Sequence, residues 1–187
     1  MTTSRTSHPI SIFPTRSWNR LSEAIRCLGI DPGIGRMGYA VVEQRGSRFR
    51  QLIYGCVETS PRMGVPQRLR RLYRAVREQI ETCSPHFMAV ERLYFGRNTT
   101  TAESVWEARG VILLAGAESD LVVLEPKPSE AKITVCGDGR AEKGQVQRMV
   151  QTILGLDDLP KPDDAADALA VALAGLALWP GVLAGRS

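Results

Sequence analysis

The chain has 187 residues, with 24 Lys and Arg against 20 Asp and Glu, a formal net charge of +4 and a hydrophobic share of 43%. That length is expected to make one domain of ordinary size, and that composition excludes wholesale disorder. The slight basic excess is compatible with a polyanionic partner without requiring one.

Charge is unevenly placed. Residues 1–26 carry Arg5, Arg16, Arg20 and Arg26 against Glu23, a net of +3, which leaves +1 for the rest. This Ser/Thr/Arg-rich segment is read as a disordered tail or an over-called start, ahead of a transit peptide. Residues 27–180 are expected to form the folded domain, and 181–187 a short C-terminal tail. The four cysteines (Cys27, Cys56, Cys83, Cys136) are widely spaced and the chain has two histidines. A zinc ribbon or disulfide framework does not fit, so reduced, mostly buried thiols in a cytoplasmic protein are expected.

Cys27–Asp31 is a short apolar run ending in a carboxylate and a Pro-Gly turn, which reads as a central strand. Met37–Glu43 and Phe49–Glu58 follow at hairpin spacing around Arg45-Gly46-Ser47, so the first three strands should form an antiparallel meander. Gln67–Cys83 is a helix by the recurrence of Leu69, Leu72, Tyr73, Val76 and Ile80, with Pro66 suiting its first turn. Its arginines Arg70, Arg71, Arg74 and Arg77 fall on the opposite side, read as a solvated face in preference to a DNA-binding one. Phe87–Glu91 is another apolar run closed by an acid. Thr101–Glu118 is a helix, Leu121–Glu125 a strand and Pro128–Val135 a short helix. Ala141–Leu154 is a helix with Val146, Met149, Val150 and Ile153 inward. Asp163–Leu178 is the last helix. The uncharged run Ala168–Gly185 is half Ala and Gly, contains Pro180 and follows three aspartates. A buried helix ending near Trp179 explains it better than a membrane span. Five strands in this order imply an α/β fold, a mixed sheet with helices on both faces.

Asp31 and Glu91 stand at the ends of two buried strands, where ligand sites of such sheets form. Parallel neighbours would bring the two acids together, a costly arrangement unless cations hold them. Asp163, Asp164 and Asp167 sit at the start of the last helix. Any one of them is an ordinary cap, but three, added to two at strand ends, exceed what capping requires. Spacing alone leaves Asp163 and Asp164 equivalent partners for Asp167. An oxygen-only cluster suits hard divalent cations, Mg²⁺ or Mn²⁺. Two such ions can activate water and stabilise a leaving phosphodiester oxygen, which points to a nuclease.

Leu28-Gly-Ile-Asp31-Pro-Gly33 followed by Gly38-Tyr-Ala-Val-Val42 resembles the opening of the RuvC family of Holliday-junction resolvases. Ala89-Val-Glu91-Arg-Leu-Tyr-Phe95, Glu107-Ala-Arg-Gly110, Gly139-Arg-Ala-Glu-Lys143 with Gln145-Val-Gln147, and Asp164-Ala-Ala-Asp167-Ala-Leu-Ala170 extend the resemblance to about Leu178. It implies an RNase H-like fold and a homodimer that nicks opposed strands of four-way junction DNA. It also implies two Mg²⁺ or Mn²⁺ ions per site on Asp31, Glu91, Asp164 and Asp167, the last two being the family's Asp-Ala-Ala-Asp pair. Tyr94 and Phe95 match aromatics placed near the strand exchange point, where stacking on bases is the physical rationale. Arg97, Lys132 and Lys143 match basic residues toward the DNA, with Gly96 a departure beside Arg97. Arg109 and Gly110 read as packing and interface residues, and the helix bearing Trp106 and Val111 to Leu114 as the dimer seam or ordinary core. The branch-migration complex RuvA–RuvB is the implied further partner. Two other classes compete: an actin-like ATPase or sugar kinase, disfavoured by length and the lack of a second phosphate loop, and a junction-binding module without catalysis, disfavoured by the presence of all four acids.

Overall fold

Along the first strand, β1 (Ile25–Asp31), Leu28 and Ile30 point to one side and Cys27 and Gly29 to the other, and this parity organises the molecule. The structure is a computed structural model in which residues 24–93 and 99–184 are described. Most of the expected N-terminal tail, the last three residues, and Tyr94, Phe95 and Arg97 lie outside the described residues.

β1 pairs antiparallel with β2 (Arg36–Arg45), which pairs antiparallel with β3 (Arg48–Glu58). After helix α1 (Val65–Cys83), β4 (Phe87–Val90) returns parallel to β1. Helix α2 (Thr99–Ala117) then leads to β5 (Val122–Leu124), parallel to β4. The sheet order is β3-β2-β1-β4-β5, the expected mixed five-stranded sheet. Helices α3 (Pro128–Cys136), α4 (Lys143–Leu154) and α5 (Asp163–Ala184) complete the chain.

Both sheet faces are covered, as two apolar cores require. Leu28, Ile30, Val41, Met88 and Val90 pack with Leu72 and Val76 of α1 and Ile112 of α2. Cys27, Ala40, Val42, Phe87 and Ala89 pack with α5 and with Val146 and Val150 of α4. Phe87 stacks on Trp179 with ring centroids 4.2 Å apart.

Several local expectations change. β1 starts two residues early, at Ile25. The last helix continues through Pro180 to Ala184 rather than stopping near Leu178: its apolar side, with Trp179 buried and Val182 and Leu183 against the core, keeps it docked. On α4, Leu154 is buried and Met149 is exposed, so the inward stripe is Val146–Val150–Leu154. The cysteines are free, as expected, but Cys27 alone of the four is fully buried. Ile112 of α2 is core, whereas Leu114 is half exposed. No helix among the described residues is long and apolar enough to cross a membrane.

Candidate active site

Alternation along β1 places Asp31 on the Cys27/Gly29 face, toward α5, and alternation beyond β4 places Glu91 on the corresponding Phe87/Ala89 face. Ile30 pairs with Val90, and the Glu91 N–H donates to the Ile30 carbonyl at 3.0 Å, extending the ladder by one residue. The two acids therefore end adjacent parallel strands. Gly38 of β2 pairs with Asp31 on the other side.

Glycine lets α5 reach the same place. A Cβ on Gly38 would run into the Asp164 carbonyl oxygen, and one on Gly29 into the Ala168 carbonyl and, at 2.6 Å, the Ala172 nitrogen. The helix thus lies on the sheet at backbone distance, with its first turn at the end occupied by Asp31. Asp163, Asp164 and Asp167 project there, their side chains 44%, 22% and 29% exposed.

Charge is concentrated at this end. Burial, then the neighbouring charges of Glu91, Asp167 and Asp164, pushes the Asp31 carboxyl up to about 8 against the pull of Lys143. Burial and Asp167 push Glu91 up to about 7, opposed by Lys132 and Lys143. Asp167 is raised by burial, with its hydrogen bond to Lys143 acting the other way. The more exposed Asp163 is held below the ordinary range, chiefly by Lys143.

Two cations hold the helix acids. Lys143 Nζ lies 2.7 Å from Asp163 Oδ2 and 3.1 Å from Asp167 Oδ2. Arg36 Nη2 lies 3.2 Å from Asp163 Oδ1 and 2.5 Å from Asp164 Oδ2. The contact to Asp164 is an ion contact without hydrogen-bond alignment, because that buried oxygen has no hydrogen bond. Asp163 is therefore the acid shared by both cations. No three His, Cys, Asp or Glu side chains among the described residues stand arranged to hold one metal ion. The donor set is nevertheless all oxygen, the chemistry of hard cations.

A cleft of about 580 Å³ opens beside the acids, and Glu91, Asp167, Lys132 and Lys143 line it with Pro128, Ala131, Val146 and Ala170. The structure thus brings Asp31, Glu91, Asp164, Asp167, Lys132 and Lys143 to one end of the sheet. Arg36 is the residue that sequence reasoning missed. Its even-numbered parity with Gly38, Ala40 and Val42 was the available signal, since that parity turns it toward α5. Arg109 lies apart, buried, 2.9 Å from Glu125 and over the Trp106 ring, as a packing residue does.

Comparison with known proteins identifies the family and the fold. The family model described as "Crossover junction endodeoxyribonuclease RuvC" matches residues 27–175. The crossover junction endodeoxyribonuclease RuvC of Desulfitobacterium hafniense is 50% identical over 146 residues, 78% of this chain and 88% of that protein. That of Moorella thermoacetica is 51% identical over 154 residues, covering 81% and 92%. The Thermus thermophilus RuvC structure superposes with a TM-score of 0.77 at 35% identity, covering 84% of this chain and 97% of that one. The same protein in complex with a Holliday junction substrate gives 0.77 at 33% identity, covering 84% and 96%. The α/β fold is accordingly RNase H-like. With its matched region reaching from Cys27 across all five strands and into α5, this chain belongs to the RuvC family of crossover junction endodeoxyribonucleases.

Proposed function

We propose that this chain is a structure-selective endonuclease that resolves four-way (Holliday) DNA junctions by hydrolysing phosphodiesters in two opposed strands, as a homodimer, during recombination and repair. The observation that carries the reading is the convergence of carboxylates from β1, the end of β4 and the first turn of α5 beside two lysines at the mouth of one cleft.

Asp31, Glu91, Asp164 and Asp167 are the residues that would hold the metal. Their fit to a divalent cation rests on two features: an oxygen-only donor set and two strand-end carboxyls that burial leaves poorly compensated. Bound Mg²⁺ or Mn²⁺, two ions per site, would supply an activated water and stabilisation of the leaving oxygen. Lys132 and Lys143, at the cleft, would draw the scissile phosphate in by charge, which selects no base sequence. Arg97 would add a backbone contact, and Tyr94 and Phe95 would stack on bases opened at the crossover. The half-exposed Leu114 and neighbouring Val111 of α2 are the apolar residues we assign to the dimer seam. The family likeness supports RuvA–RuvB as the branch-migration partner in this proposal, with the cytoplasm as the compartment in which it would act.

The test is cleavage of a mobile synthetic junction and of linear duplex, each with Mg²⁺, Mn²⁺ or chelator. Paired symmetric nicks in the junction alone, dependent on the divalent ion, support the reading. Cleavage of both substrates alike, or of the junction in chelator, overturns it.

A further inference from the structure

The outer face of α1 carries charge that the site just described does not use. Arg70, Arg71 and Arg74 are exposed, and among the described residues none of them makes an ion pair or hydrogen bond. By contrast, Arg77 on the same helix pairs with Glu81 and Glu118, Arg26 with Glu43, and Arg109 with Glu125. The three unpaired guanidinium groups line a groove of about 910 Å³ between α1 and the β2–β3 edge, together with Tyr39 and Val57. Glu58 and Glu78 also line it, so the groove keeps a net positive charge of one from these five side chains.

Position relates this groove to the carboxylates. Arg68, three residues before Arg71, is turned inward, where its Nε donates to Thr59 Oγ1 at 2.8 Å. Thr59 in turn donates from its backbone N–H to the Gly35 carbonyl at 2.9 Å and from its hydroxyl to the Ile34 carbonyl. Ile34 and Gly35 belong to the loop that directly follows Asp31. The amino end of α1 is therefore tied to the carboxylate end of the sheet, and Arg70, Arg71 and Arg74 lead away from it along the helix. From Arg68 to Arg74 the helix rises about 9 Å, enough to meet successive phosphates of one strand.

We propose that this face of α1 is an accessory duplex-binding surface, on which one arm of the four-way substrate rests its phosphate backbone after leaving the carboxylate cleft. The inference rests on the junction-resolving reading above and adds the path of an arm to it. Unpaired arginines in a row suit phosphates because guanidinium contacts to the backbone are charge-assisted and independent of sequence.

The experiment measures binding of the full-length chain to synthetic four-way junctions, in chelator so that no cleavage intervenes, across a series of salt concentrations. Junctions with arms of about one and about two helical turns are compared. The triple variant Arg70→Gln, Arg71→Gln, Arg74→Gln is expected to lose about tenfold or more in affinity for the long-armed junction. Its log–log salt slope should shrink by about 2–3, near one per lost phosphate contact. The triple Lys variant should retain most of the slope. As a control, Arg45→Gln, Arg48→Gln, Arg50→Gln removes as much charge from the opposite end of the β2–β3 hairpin and should leave the slope near wild type. An unchanged slope and affinity in the α1 variant, with its melting temperature intact, would overturn the proposal and reassign the face to solvent or an acidic protein partner. Equal losses in the control variant would overturn it too, reducing the effect to bulk charge. Either failure leaves the metal-dependent nicking of the wild-type chain as it was, so it is distinguishable from failure of the junction-resolving reading.

Discussion

Asp31 and Glu91 end two adjacent parallel strands and face the same helix, with the Glu91 N–H bonded to the carbonyl of Ile30, the residue before Asp31. Two acids so placed share one poorly solvated end of the sheet, and this destabilises the metal-free fold. On the proposed reading, bound divalent cations would relieve that cost.

The first prediction concerns pH. The ordinary values of Asp31 and Glu91 are 3.8 and 4.5, and in the fold they rise to about 8 and about 7. Between those limits the folded chain holds protons that the unfolded chain has released, so stability falls as pH rises. Urea midpoints in chelator should decline from about pH 5 to about pH 8 and then level, each group contributing at most about 1.4 kcal/mol per pH unit. Adding Mg²⁺ should flatten the decline. A midpoint that climbs with pH across this window contradicts the assignment.

Gly38→Ala tests how α5 is seated. The added methyl meets the Asp164 carbonyl, a backbone atom that cannot turn aside as a flexible side chain can. The expected cost is about 1–3 kcal/mol by denaturant melt. Junction cleavage should fall further than that loss explains, since the displaced turn carries Asp164 and Asp167. Wild-type cleavage at full stability would show that the helix need not lie so close.

Lys143→Met removes the ammonium shared by Asp163 and Asp167. If that charge meets the scissile phosphate, kcat should drop by about 10²–10³, with a smaller change in junction affinity. A loss confined to affinity would make Lys143 a binding residue only.

Trp179→Ala separates stability from chemistry. The indole stacks on Phe87 at a 4.2 Å centroid distance and is nearly inaccessible, so its removal should cost about 3–5 kcal/mol. It lies about 24 Å along α5 from the first turn. Cleavage at low temperature should therefore persist while the melting temperature falls.

Much of the site was legible because burial and charge conflict in the sequence itself. An apolar run that ends in an acid, as at Ile30-Asp31 and Val90-Glu91, is visible without coordinates, and parallel pairing is the step that joins the two. Helical spacing could not choose between Asp163 and Asp164, and their surroundings differ: the more exposed Asp163 bridges Lys143 and Arg36, while the more buried Asp164 meets Arg36. Arg36 was overlooked despite its parity with Gly38, Ala40 and Val42, because an arginine opening a strand is ordinary surface until a helix is docked over it. The run past Leu178 was misjudged for a related reason: Pro180 suggests a stop, but packing of Trp179, Val182 and Leu183 outweighs one lost backbone hydrogen bond.

The most direct measurement compares wild type with Asp31→Asn on a mobile four-way junction in Mg²⁺ and in Mn²⁺, alongside melting in chelator near pH 8. Cleavage is expected to fall by about 10³-fold or more, with junction binding retained. The metal-free fold should become more stable by about 1–2 kcal/mol, because a buried charge is gone. Junction cleavage at the wild-type rate in either ion would contradict the assignment of Asp31 to the metal site, and with it the carboxylate cluster as the catalytic centre.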